Sequence, residues 1–121
     1  MSTQVSATRQ VFDHHVGALL SGDLDGVVAD YTDESVIIGP EGVLKGRESI
    51  REMFAGLFAT LFRPGTFTVV PDVVHVDGEA AFVIWHANCV GADVVFAADT
   101  FIVKEGKITL QTFAPKIEPH S

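Results

Sequence analysis

The chain has 121 residues, 47% of them hydrophobic, enough to build one core, so a single domain spanning residues 1–121 is expected. A net charge of −8 and a pI near 4.8 leave no basic patch, which argues against nucleic acid or an anionic membrane as partner. The one cysteine, Cys89, cannot close an internal disulfide; in an apolar run it reads as a small core or interface residue in a reducing compartment.

Residues 2–20 are expected to form a helix. Val5, Thr8, Phe12, His15, Val16 and Leu19 recur at helical spacing on one stripe, and His14 points away from it. Ser21-Gly22 ends that helix, and Asp23 can cap a short second one that buries Leu24, Val27, Val28 and Tyr31 while exposing Asp25 and Asp30. Asp33 and Glu34 fall in the following turn. The acidic run from Asp23 to Glu34 is therefore read as caps and solvated surface. Negative charge suits a helix N-terminus, and no His or Cys joins these carboxylates at metal-ligand spacing.

Val36-Ile37-Ile38 reads as a short strand, followed by a Gly39-Pro40-Glu41-Gly42 turn and a second short strand through Leu44. Beyond Gly46, Ile50, Met53, Phe54, Leu57, Phe58, Leu61 and Phe62 form one wide apolar helix face, which Arg63-Pro64-Gly65 stops. Four strands are then expected at 66–76, 79–90, 94–103 and 108–113, joined at Asp77-Gly78, Gly91-Ala92 and Glu105-Gly106. Pro71 marks a bulge or an edge in the first of these. The tail 118–121 reads as disordered. Helices first and a long antiparallel meander last define an α+β domain, with helices packed on one face of a curved sheet and room for a pocket between. No apolar leader precedes Gln10 and no apolar run approaches about 18 residues, so a soluble, cytoplasmic protein is expected.

The stretch "LLSGDLDGVVADYTDESVIIGPEGVLKGRESIREMF", with the later "DTFIVKEGKI", resembles the nuclear transport factor 2-like superfamily, nearest its SnoaL-like and ketosteroid-isomerase-like groups. The "GDLDG" start, the "G-x-x-x-I-R-E-x-F" helix entry and the "DGEAAF" hairpin carry the likeness over nearly the whole chain. The resemblance implies a cone-shaped half-barrel, an apolar pocket at its mouth, and a homodimer packed through the outer sheet face. It leaves chemistry open, because the fold hosts many activities as well as association domains.

Asp99 is the informative carboxylate. Its same-face neighbours on a strand are Val95, Ala97, Phe101 and Val103, so it would be desolvated and its pKa raised, as suits a neutral donor or general acid. In ketosteroid isomerases an Asp at the matching strand position donates to the substrate oxygen. The resemblance places the tyrosine of that family's first helix at His15 and its general-base aspartate at Gly39, just before Pro40. A glycine cannot move a proton, so at most feeble steroid isomerase activity is expected.

His86 and Asn88 share a strand face with Phe82 and Ile84. If Gly91-Ala92 is a two-residue turn, His86 lies diagonal to Asp99 on one face; a loop longer by one residue puts them on opposite faces. Val83, Trp85, Ala87 and Cys89 form the other face, read as a dimer interface. The candidate catalytic residues are thus Asp99 as acid or donor with His86 or His15 as proton partner. Asn88, Tyr31, Phe54, Phe58, Ile84, Phe101 and Phe113 are the candidate substrate contacts. No nucleophile elbow, phosphate loop or metal motif is present, so neither cofactor nor metal is expected. The relatives that hydrolyse limonene epoxide use an Asp–Arg–Asp arrangement, yet no Arg follows Arg63. The expected ligand is a small hydrophobic molecule, for acid–base chemistry on a carbonyl substrate or for binding alone.

Overall fold

The computed structural model describes residues 3–120. In chain order the elements are α1 (Thr3–Ser21), α2 (Leu24–Val28), β1 (Tyr31–Gly39), β2 (Gly42–Lys45), α3 (Gly46–Ala59), β3 (Thr68–Asp77), β4 (Ala80–Asn88), β5 (Ala92–Lys104) and β6 (Lys107–Pro119). The expected α1 start at Ser2 and tail end at Ser121 lie outside the described residues. The strands form one sheet in the order β2-β1-β6-β5-β4-β3. Among the described residues β1 and β6 run parallel and the other neighbouring strands are antiparallel. This is the α+β architecture expected, three helices packed on a curved, open, mostly antiparallel sheet.

The α1 stripe packs as its spacing predicts, with Thr8, Phe12 and His15 buried. Asp23 caps α2 by accepting from the Gly26 amide at 3.0 Å. α3 turns Ile50 and Phe54 into the core, and each such side chain contributes roughly 1.5–3 kcal/mol by leaving water. α1 lies on β3, β4 and β5, and α3 on β1 and β2. Two tight points fix the chain path. Gly46 enters α3 at φ +86, where a Cβ would stand 3.0 Å from the Asp33 carbonyl. Glu105 and Gly106, at φ 53 and 76, make the two-residue turn that pairs Lys104 with Lys107.

Pro71 satisfies both sequence-based alternatives. β3 is an edge strand, and its register with β4 shifts between Pro71 and Val73. Other boundaries differ. α3 ends at Ala59, three residues before Phe62, although Phe62 still folds back into the core with its amide on the Leu57 carbonyl. Asp33 and Glu34 sit inside β1, at the irregularity between Tyr31 and Val36. β6 runs on to Pro119, which pairs with Ala92, and the His120 amide donates to Gly91 O; the predicted disorder of 118–120 is therefore wrong. Partner strand β5 begins at Ala92, two residues early, and supplies the ladder that orders this segment.

The largest correction is the β4–β5 register. The connection runs from Asn88 to Asp93, four residues long, and β5 holds one extra residue opposite the step from Trp85 to Ala87. Val83 therefore faces Asp99, and Trp85 faces Ala97. A one-residue slip exchanges the two faces of a strand. Val83, Trp85, Ala87 and Cys89 point inward and are buried among the protein's own helices, so they are not the exposed dimer face expected. Ile84, His86 and Asn88 take the outer face instead. The extra residue also turns Val95 outward, where it is exposed, so it is not a neighbour of Asp99 in the core. Asp30 is corrected in the opposite sense: it is buried, not solvated.

Candidate functional site

Between the helices and the inner sheet face lies a cavity of about 80 Å³. Aromatic and aliphatic side chains of α1, α3 and all the long strands line it, and its polar groups are His15, Trp85, Asp99 and Gln111. It adjoins a groove of about 730 Å³ at the open end of the sheet, with Ile37, Met53, Leu57, Phe62, Trp85 and Phe113 common to both. The groove carries Glu41 and Glu52; among the described residues, no Lys or Arg lines either space.

Asp99 is 4% exposed and both its oxygens are held. Trp85 Nε1 donates to Oδ1 at 2.9 Å, and Gln111 Nε2 donates to Oδ2 at 2.9 Å. The Tyr31 hydroxyl in turn donates to Gln111 Oε1 at 2.5 Å. The register explains the convergence. Trp85 and Gln111 each sit diagonal to Asp99 on a neighbouring strand, through the pairs Trp85↔Ala97 and Phe101↔Gln111. An ionised carboxylate only accepts, which fixes the Gln111 amide with its NH₂ toward Asp99 and its carbonyl toward Tyr31. Burial pushes the Asp99 carboxyl up to about 6, with the donors Trp85 and Gln111 pulling it back. Burial also holds the Tyr31 hydroxyl well above the ordinary phenol value, and the charges of Asp99 and Asp30 act in the same direction.

His15 enters from α1. Its ring lies edge-on to Tyr31 and Phe54 and tilted on Phe101, with centroids at 5.9, 5.8 and 5.3 Å. Burial, with a smaller contribution from the charge of His14, lowers its pKa to about 4, so the imidazole is neutral near pH 7. Its Nδ1 is buried without a hydrogen-bond partner among the described residues.

Of the residues proposed from sequence, Asp99, His15, Phe54, Phe101 and Phe113 line the cavity. Tyr31 lies behind that lining and reaches Asp99 through Gln111. Phe58 packs against the core without reaching the cavity. His86, Asn88 and Ile84 do not share the face of Asp99, and the expectation that they do is corrected by the register. His86 Nδ1 instead meets Asp72 Oδ2 on the outer face at 2.7 Å. The residues missed are Trp85, Gln111, and Asp30 with His14. Strand alternation from Phe113 alone places Gln111 on the cavity face.

The fold is that of the nuclear transport factor 2-like class. Within it the chain belongs to the SnoaL-like domain family, whose profile matches residues 11–111. No curated protein matches the sequence. Among solved structures, an LEH-like epoxide hydrolase of M. tuberculosis is 18% identical with TM-score 0.75, covering 92% of this chain and 84% of its own. SalBIII, an epoxide hydrolase/cyclase-like enzyme of pyran ring formation in the polyether salinomycin, is 21% identical with TM-score 0.77, covering 93% and 95%. A protein of unknown function from Burkholderia xenovorans, of the nuclear transport factor 2-like type, is 17% identical with TM-score 0.77, covering 99% and 90%. At these identities the likeness is one of fold. Among the described residues, no group of three or more His, Cys, Asp or Glu side chains is placed to hold a metal ion, and no helix is long and apolar enough to cross a membrane.

Proposed function

We propose that the protein is an acid–base enzyme acting on a small, uncharged, apolar molecule that bears a carbonyl or similar oxygen function. One observation carries this reading: a buried carboxyl with a pKa of about 6, held by two donors, opens on an apolar cavity. The sequence pointed to Asp99 as acid or neutral donor. With both oxygens accepting hydrogen bonds, the ionised form is the one the site orients, and Asp99 is assigned the base half-reaction near pH 7. It takes a proton from the substrate and returns it at a neighbouring atom, which balances an isomerisation or ring closure. Neutral His15 is the polar group available to donate toward the developing oxyanion. Trp85, Gln111 and Tyr31 hold Asp99 in place. With no cation in either space and carboxylates at Asp99, Glu41 and Glu52, anionic substrates are disfavoured.

The test is deuterium exchange at the α-carbon of small apolar ketones in D₂O, followed by proton NMR. Exchange is expected to rise with pH through a midpoint near 6 and to be lost in Asp99→Asn. Equal exchange in wild type and Asp99→Asn, at any pH, removes Asp99 from the chemistry. The second reading, a non-catalytic binding module, draws support from the small volume of the inner cavity, about 80 Å³. Ligand retention without Asp99-dependent exchange favours it. A homodimer remains part of either reading, but through the outer face, where Val70, Phe82 and Phe96 are exposed. Sedimentation giving a monomer at micromolar concentration contradicts it.

A further inference from the structure

Adjacent residues of α1, one exposed and one buried, meet one carboxylate. His14 is exposed, its side chain 56% accessible, and its Nδ1 lies 2.8 Å from Asp30 Oδ1 and 2.9 Å from Oδ2. His15 is buried at the cavity wall, and its unpartnered Nδ1 faces the same carboxylate, 4.0 Å from Oδ2. Asp30 itself is buried at the junction of α2 and β1. We propose that His14 and Asp30 are a proton-relay pair that connects bulk water to His15 at the cavity, behind the face that substrate enters. The proposal rests on the acid–base reading of the cavity, for which it supplies proton exchange with solvent while a ligand blocks the mouth.

The geometry dictates the steps. His14 takes a proton from water on Nε2 and releases the one on Nδ1. Because Nδ1 is within reach of both oxygens, it can place that proton on Oδ2 directly. Oδ2–H then closes the gap to His15 Nδ1, a movement of about 1 Å to reach ordinary hydrogen-bond distance. His15 accepts there and sheds its Nε2 proton into the cavity. One proton crosses and every group returns to its starting charge, with both imidazoles left in the opposite tautomer; the reverse sequence exports one proton and restores them. The 4.0 Å separation fits this account. A bare Nδ1 lone pair stands off from a carboxylate, whereas an N–H would be drawn into a hydrogen bond with it.

The surroundings favour transfer at both ends. Burial raises the Asp30 carboxyl, with the hydrogen bond and charge of His14 and the charge of Lys107 opposing. Burial lowers His15, so it does not retain the proton it receives. The titratable and charged groups around Asp30 are His14 and His15 from α1, Tyr31 from β1, and Lys107 from β6, whose Nζ is bonded to the Ala29 carbonyl. Lys107 fixes the backbone beside Asp30 and is not a link in the path.

The experiment needs no substrate, but benzene is added to saturation to close the cavity mouth to water, the condition under which the relay is required. In protein labelled with ¹⁵N-histidine, the rate at which the His15 imidazole proton exchanges with water is read by NMR. His14→Gln and Asp30→Asn are each expected to slow it at least tenfold, with the backbone amide spectrum otherwise retained. His14→Ala leaves a surface gap, and added imidazole is expected to restore exchange there but not in Asp30→Asn. Unchanged exchange in His14→Gln overturns the proposal, since protons then reach His15 by another route. Exchange that slows but is not rescued by imidazole in His14→Ala assigns His14 a packing role and also overturns it. Failure of ketone exchange in the Asp99 test leaves these rates unaffected, so the two readings fail separately.

Discussion

Two buried groups at the cavity should impose opposite pH dependences on stability. Asp99 rises from 3.8 in the unfolded chain to about 6 in the fold. Between those values the native state holds a proton that the unfolded chain has released, so stability is fullest at low pH and falls by about 3 kcal/mol as pH climbs through 6. His15 drops from 6.5 to about 4. Its contribution is present above pH 6.5 and is lost, again by about 3 kcal/mol, as pH falls through 4. The two nearly cancel in the wild type between pH 4 and 6.5, and single substitutions uncover each. Asp99→Asn should gain up to about 3 kcal/mol relative to wild type as pH rises across this window. The network tolerates it: Gln111 turns its carbonyl toward the new amide, and the Tyr31 hydroxyl accepts from the reversed Gln111 NH₂. His15→Gln should do the opposite and lose ground to wild type as pH rises. Urea unfolding at half-unit pH steps measures both, and the slopes matter, not the constant offset from repacking. Curves for wild type and Asp99→Asn that stay parallel within about 0.5 kcal/mol would show that burial does not perturb this carboxyl.

Four further outcomes follow from particular contacts. Asp23→Ala removes the cap on the Gly26 amide and should cost about 1 kcal/mol in urea unfolding, while Asp25→Asn, exposed and paired with Arg51, should stay within about 0.5 kcal/mol. Gly46→Ala forces a side chain onto φ +86 against the Asp33 carbonyl and should destabilise by more than about 1 kcal/mol, read as a lowered melting temperature. Trp85→Phe removes the donor to Asp99 Oδ1, so the carboxyl should titrate above its wild-type midpoint, at a stability cost on the order of 1–3 kcal/mol from the lost volume; a midpoint moving down refutes the role given to Nε1.

The architecture was legible because it is written in local signals. The α1 stripe, the α3 stripe as far as Phe58, the Asp23 cap, the Glu105-Gly106 turn and Pro71 each depend on a few neighbouring residues, and each appears where the spacing puts it. Asp99 was found in the same way, as a carboxylate between apolar same-face neighbours. Its partners were not, because they depend on register. A four-residue connection and one extra residue in β5 shift β4 by a single position, exchange Trp85 for His86 on the inner face, and turn an expected dimer patch into the cavity wall. Asp30 was misread for a related reason. Short-range periodicity at the end of α2 exposes it, but β6 and α1 close over it, and only tertiary contact reveals that.

The central claim is that Asp99 is a proton-transferring carboxylate poised near neutrality, and its titration is the most direct measurement. Carbon-detected NMR of the Asp99 side-chain carboxyl, from pH 3 to 8 in the wild-type protein, reads it without any ligand. The account predicts a midpoint near 6, moving upward when Trp85 or Gln111 loses its donor. A midpoint near 3.8, the ordinary value for aspartate, would mean that the cavity does not tune this group and that Asp99 serves only to tie three strands together.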